Sequence, residues 1–284
     1  MKKILSAILL TVLVLALAAC GTKDKGNDTS GNNNAAGDKE ESTKIVIGAS
    51  NTPHAVILEK VKPMLKEKGY DLEIETYQDY ILPNKDLESG LLDANYFQTI
   101  PYLESQIADF GYDFVNAGGI HIEPMGVYSK KYKSLTELPD GATVLMSNSV
   151  SDHGRVLEML EKEGLITLAE GVEKVKAELG DIVDNPKNLK FEPDYEAALM
   201  PTLYKNDEGD ALLINSNYAI DAGINPLEDS IALEKTDSPY VNVVAVRSGD
   251  ENSDAIKALV EVLQSKEIQE FMLKEWGGSV VPVK

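Results

Sequence analysis

KIVIGASNTPHAVILEKVKPMLKEKGYDLEIET, residues 44–76, carries the fold class. Ile45-Val46-Ile47-Gly48 is a β-branched run that ends at glycine, the pattern of a short strand. Asn51-Thr52-Pro53 then offers an N-cap and an early-turn proline. Val56, Ile57, Val61, Met64 and Leu65 follow at helical spacing up to Gly69. Leu72, Ile74 and Thr76 alternate with acids, which reads as a second strand. The pattern continues with a short helix around 83–91, a strand near 94–97 and a helix over about 100–109. Strands alternating with helices predict an α/β fold with a largely parallel sheet, because parallel neighbours need a crossover and a helix supplies it.

Downstream, His121–Ser129 (HIEPMGVYS) reads as a strand interrupted by Pro124. A second α/β region follows, with strands at 142–147, near 189–192 and at 211–215. Its expected helices run from about Asp152 to Glu163, near 171–178 and near 194–205. Tyr240–Val246 (YVNVVAV) is another β-branched strand, and helices near 253–275 lead to a short Val280-Val281. The two extended segments 121–129 and 240–247 separate the middle of the chain from its ends. They are read as crossovers between two α/β lobes, one of residues 44–128 plus 240–284 and the other of 129–239.

Upstream of this body, Lys2 and Lys3 precede an apolar run from Ile4 to Ala19, short for a membrane span and suited to a signal peptide over 1–19. The run ends in Leu17-Ala18-Ala19-Cys20, and Cys20 is the only cysteine of the 284 residues. Residues 21–43 contain no large apolar side chain and read as a flexible tether. The chain carries 27 basic against 47 acidic residues, a formal net charge of -20, which repels phosphate backbones and argues against nucleic acid.

Catalytic signals are sparse. His54, His121 and His153 show no H-x-x-x-H spacing, and there is no G-x-S-x-G, Walker A or G-x-G-x-x-G. The histidines read as surface or hydrogen-bonded residues; no enzyme activity, metal or cofactor is expected. Binding signals are denser. Tyr80, Tyr96, Phe97 and Tyr102 cluster within two short segments around Asp79–Asn84 and Asp93–Tyr102. Tyr96 alone suits a core position, and the others suit the wall of a pocket for an apolar or thioether group. Arg155 is one of only two arginines and falls early in a helix, where the N-terminal dipole and a planar guanidinium both favour a carboxylate. Asn215 and Asn217 stand at a strand end and Asn242 lies between valines, where amide side chains can serve a zwitterion.

The strings DYxxPN, DANYFQxxPYL, HIEPMGVYS, GRVLEML, INSNYAIDAGINP and GGSVVP occur in this order over residues 44–284. With them the chain resembles the methionine-binding lipoproteins of the MetQ/NlpA type. The resemblance implies a type II periplasmic-binding-protein-like fold, two α/β lobes joined by two crossover strands with a ligand cleft between them. It implies lipidation of Cys20, a membrane anchor on the extracytoplasmic face, and delivery of L- or D-methionine to an ABC permease. By motif, Tyr80, Phe97 and Tyr102 would line the side-chain pocket and Arg155 would take the ligand carboxylate. Asn217 and Asn242 would hold its amino and carboxylate ends, with Asn215 a secondary member. Two places depart from the pattern. Thr99 stands where the family commonly has histidine, and Asn148–His153 replaces its N-D-P-x-N-x run before Gly154-Arg155. Thr99 is therefore counted as a secondary pocket residue that leaves space for a ligand larger than methionine. Another amino acid or a methionine-containing dipeptide is the alternative cargo, and a surface adhesin or structural lipoprotein the alternative role.

Overall fold

The computed structural model describes residues 42–283, so the signal segment, Cys20 and nearly all of the tether lie outside the described residues. Among the described residues no helix is long and apolar enough to cross a membrane.

The strands are β1 (Thr43–Ser50), β2 (Tyr70–Tyr77), β3 (Ala94–Thr99), β4 (Phe114–Ile122), β5 (Gly126–Tyr128), β6 (Thr143–Ser147), β7 (Thr167–Leu168), β8 (Ile182–Asp184), β9 (Lys190–Tyr195), β10 (Ala211–Ile214), β11 (Ser230–Leu233), β12 (Val241–Arg247) and β13 (Val281–Pro282). The helices are α1 (Val56–Glu67), α2 (Leu82–Glu88), α3 (Ile100–Phe110), α4 (Val150–Lys162), α5 (Met200–Lys205), α6 (Ser216–Asp221), α7 (Pro226–Asp229), α8 (Asp254–Leu263) and α9 (Lys266–Trp276). One six-stranded sheet has the order β13-β4-β12-β3-β1-β2, and a five-stranded sheet has the order β11-β5-β10-β6-β9. In the first, β1 is parallel to β2 and β3, while β12 lies antiparallel to both β3 and β4. In the second, β6 is parallel to β9 and β10, and β5 is antiparallel to its neighbours. Each sheet is therefore parallel where helices connect its strands and antiparallel where the chain crosses between sheets.

Period-two alternation gives each sheet two buried faces. Val244 and Val246 of β12 join the core under α1, α8 and α9, while Val243 and Ala245 point to the opposite core with Leu87 and Leu103. In the second sheet Val144 and Met146 face Val156, Leu157 and Leu160 of α4, and Leu145 faces Met200 and Ala219. A sheet buried on both faces needs helices on both, so each lobe is a three-layer unit.

The chain leaves the first sheet after Ile122 and pairs again at Gly126, in the second sheet. Residues 126–128 thus belong to the second sheet, and the crossing is Glu123–Met125, at the Pro124 interruption, instead of after 128. The return runs from Leu233 to Val241. The two crossings are tied together, with the Glu234 N–H donating to the Met125 carbonyl at 2.9 Å and the Met125 N–H donating to Glu234 Oε2 at 3.1 Å.

Four local expectations change. Thr52 is extended (φ -130°, ψ 129°) and no side chain caps the turn at Asn51–Ala55, so α1 begins at Val56 without the Asn51 cap. The helix expected near 171–178 is replaced by 3₁₀ turns at Lys174–Lys176 and Leu179–Asp181. There the carbonyls of Lys174 and Val175 press against Gly154, where a Cβ would meet them at 2.2 and 2.7 Å, and this contact overrides local helical periodicity. The helix expected from 194 starts at Met200, because β9 runs on to Tyr195. β9 is an edge strand, where Pro193 removes no ladder hydrogen bond. Finally, β4 extends back to Phe114 through Gly118 and Gly119, whose low strand propensity conceals it. A Cβ on Gly118 would lie 2.5 Å from Val260, so the glycine lets α8 pack on the strand.

Candidate functional site

The carboxyl ends of parallel strands from both sheets face one cavity of about 410 Å³, counted to its solvent-open side. That size lies in the usual range for small-ligand sites, roughly 300–1,000 Å³. All eight residues selected from the sequence line it: Tyr80, Phe97, Thr99, Tyr102, Arg155, Asn215, Asn217 and Asn242. The first lobe contributes the aromatic side. Tyr80 follows β2, Phe97 lies in the second half of β3, and Tyr102 sits in the first turn of α3. Their ring centroids form a triangle of 6.0, 5.9 and 6.0 Å, tilted or edge-on to one another. The Tyr102 hydroxyl donates to the Tyr80 carbonyl at 2.9 Å, which fixes the triangle. Burial pushes the Tyr80 and Tyr102 phenols well above their ordinary pKa, so they act as neutral donors. Thr99 caps α3, its hydroxyl accepting from the Tyr102 N–H at 3.4 Å. Tyr96 is fully buried in the core.

The second lobe contributes the polar side. Arg155 lies in the second turn of α4 and is only 4% exposed. It is already engaged. Nε donates to Glu234 Oε2 at 2.9 Å, Nη2 donates to the same oxygen and to the Glu123 carbonyl at 2.8 Å, and Nη1 donates to Asp152 at 3.3 Å. Its guanidinium carbon stands 4.4 Å from the Tyr240 ring centroid. Burial opposes the charge, but Glu234 and Asp152 more than offset it and the pKa is raised. The Nε–Nη2 edge expected to grip a ligand carboxylate is therefore occupied by Glu234, and one N–H of Nη1 remains for the cavity.

Tyr80 closes the cleft by donating to Asn217 Oδ1 across the lobes at 2.6 Å, and the Tyr218 hydroxyl donates to the Gln78 carbonyl at 3.2 Å. Asn242 accepts on Oδ1 from His54 Nε2 at 3.0 Å. Asn215 donates to Asp152 Oδ2 at 3.0 Å, and its own Oδ1 is buried without a partner.

His54, Gln98, Glu123, Asp152 and Ser216 also line the cavity and were not selected from the sequence. Gln98, Glu123 and Ser216 stand inside quoted motifs and Asp152 in the departing run Asn148–His153, which was the available signal; His54 lies in the turn that follows β1. The histidines are all buried, not surface residues. His153 contacts the Ser147 carbonyl at 2.9 Å. His54, His121 and Glu123 gather with their polar atoms within 4.8 Å, forming a hydrogen-bond chain. His121 Nε2 lies 2.7 Å and His54 Nε2 3.4 Å from Glu123 Oε1, and His121 Nδ1 meets the Tyr96 hydroxyl. Desolvation lowers His54 to about 4 and His121 to about 3, and raises Glu123. Both histidines are thus neutral donors at pH 7.

Two α/β lobes closed over a cavity of aromatic rings and paired charges at their strand ends define a periplasmic-binding-protein-like fold of the solute-binding class. The chain belongs to the NlpA lipoprotein family, whose model matches residues 45–284. It is 49% identical over 285 residues to the methionine-binding lipoprotein MetQ of Bacillus subtilis, covering 100% of this chain and 99% of that protein. A nutrient binding protein from Burkholderia cenocepacia, solved bound to methionine, superposes with a TM-score of 0.80 at 41% identity, covering 84% of this chain and 100% of that one. A YaeC-family pheromone cOB1 precursor/lipoprotein from Enterococcus faecalis superposes with a TM-score of 0.83 at 56% identity, covering 85% and 100%.

Proposed function

We propose that this protein is a lipid-anchored, extracytoplasmic binding protein that captures methionine, as the L or the D form, and delivers it to a membrane ABC permease. One observation carries the reading. A single cavity gathers the Tyr80–Phe97–Tyr102 triangle, Arg155 and two asparagine amides, in a chain similar to a methionine-bound protein. The rings offer a thioether the sulfur–aromatic contacts it favours, about 0.3–1.5 kcal/mol each. The amides and Arg155 face the zwitterionic end. The bond from Tyr80 to Asn217 joins the lobes beside the ligand space, so occupancy and closure are coupled there. The reading is one of binding and release.

The test is a thermal-shift screen of protein that has been unfolded and refolded to strip bound ligand. A ligand at 100 times its Kd adds about 2.7 kcal/mol, a rise of roughly 5–10 °C for a domain of this size. Methionine should give that rise and glycine should not. A larger response to another amino acid or a methionyl dipeptide would replace the cargo, and no response across the screen would favour the adhesin or structural role. Anchoring rests on Cys20, outside the described residues. Cys20→Ala should release the protein from the membrane fraction, and unchanged fractionation would reject the lipid anchor.

A further inference from the structure

The donors and acceptors around the cavity are unevenly committed. Asn217 and Asn242 both use their carbonyl oxygens, one accepting from Tyr80 and the other from His54. Among the described residues neither Nδ2 has a protein acceptor, so both asparagines present donors to the ligand. With the remaining Nη1 hydrogen of Arg155, these residues offer three donors suited to a carboxylate and none suited to an ammonium; the unpartnered Oδ1 of Asn215 is a neutral acceptor in the same lining, without the charge an ammonium calls for.

Two carboxylates line the cavity. Asp152 has both oxygens engaged, Oδ1 by Arg155 and Oδ2 by Asn215. Glu123 differs. It is 7% exposed, and both histidine contacts fall on Oε1. Among the described residues no side chain donates to Oε2. The backbone N–H of Asn217 faces the carboxylate. The neutral His121 donates to Oε1 at 2.7 Å, while His54 stands 3.4 Å away with its single Nε2–H given to Asn242. Burial opposes the charged form of Glu123, and Arg155 is the cation that favours it.

Building on the methionine-binding reading, we propose that Glu123 is the counter-ion of the ligand's α-ammonium group and so restricts the site to ligands with a free amino terminus. Both asparagines then serve the carboxylate, instead of one serving each end. His121 is the positioning residue that holds Oε1 and leaves Oε2 to the cavity, while His54 holds Asn242 Oδ1.

The experiment is calorimetry on stripped protein with L-methionine, its desamino analogue 4-(methylthio)butanoate, and N-acetyl-L-methionine, for wild type and Glu123→Gln. Glutamine keeps the shape and an acceptor for His121 while removing the charge. Loss of a buried, hydrogen-bonded charge pair is expected to weaken binding about 30-fold or more. Wild type should prefer methionine over both analogues by that margin, and in Glu123→Gln the preference should shrink below about threefold. If methionine binds and either analogue binds as well in wild type, or the preference survives in Glu123→Gln, the assignment is overturned while the functional reading stands. If methionine itself does not bind wild type, the functional reading fails and the assignment with it. Should Glu123→Gln not fold, Glu123→Asp replaces it, because a shorter reach should weaken methionine about tenfold and leave the analogues unchanged. Equal weakening of all three would overturn the assignment.

Discussion

Arg155→Ala is expected to destabilise the ligand-free protein by about 3–5 kcal/mol, the cost of removing one partner from a buried ion pair. The side chain donates to Glu234, Asp152 and the Glu123 carbonyl while 4% exposed. Its removal leaves two carboxylates and a carbonyl without their donors, and also the Tyr240 face without its cation, which alone contributes about 0.5–2 kcal/mol. Against a typical total of about 5–15 kcal/mol the loss is large, and it should lower Tm by roughly 10 °C. Glu234 also holds Ser238 at 2.6 Å and the Met125 N–H, so the damage reaches both crossings between the lobes. The assay is urea unfolding of refolded protein without ligand. Arg155→Lys should recover only part, since a point charge cannot span three acceptors. Arg155→Met combined with Glu234→Gln should recover part of the loss, because only Asp152 then keeps a buried charge without its arginine partner. A loss below about 1 kcal/mol in Arg155→Ala would refute the reasoning. Arg155 would then be a ligand-facing cation with little part in the fold. The same measurement must accompany any binding study of this variant, because weakened binding alone does not separate a lost ligand contact from a loosened hinge.

Gly154→Ala should cost about 1–3 kcal/mol or more by overpacking, because the new Cβ would meet backbone carbonyls at 2.2 and 2.7 Å that cannot swing aside; near-wild-type urea stability would reject that packing. Stability should fall on acidification from pH 7 to pH 5. His54 and His121 protonate near 6.5 when unfolded but only near 4 and 3 when folded, so the unfolded state binds more protons in that window. The expected loss is about 1–3 kcal/mol, reduced in His121→Gln. The raised Glu123 acts in the opposite sense, losing stability as pH rises through its folded pKa, and a flat profile from pH 7 to pH 5 would contradict the buried neutral pair. Thr99→His should narrow the cavity and disfavour methionyl dipeptides relative to methionine; unchanged relative affinities by calorimetry would remove Thr99 from the pocket's determinants. It should also lose a helix cap, about 0.5–2 kcal/mol.

Order and patterning were legible from the sequence alone. Ile45–Gly48, the helical spacing from Val56 to Leu65 and the alternation through Thr76 specify strand, helix and strand because burial on one face imposes periods of 2.0 and 3.6 on apolar residues. The eight cavity residues were also readable one at a time, since their chemistry and motifs stand out locally. Their roles were not. Local sequence carries no record of Glu234, 79 residues from Arg155, or of His54, 188 residues from Asn242. Whether Arg155 is free or paired, and whether an asparagine shows the cavity its oxygen or its nitrogen, depends on which distant atom reaches it first. The 3₁₀ turns near Lys174 follow the same logic, since contact with Gly154 decides their backbone. Local periodicity reports burial along one element; hydrogen-bond commitment is settled only when elements from both lobes share a small volume.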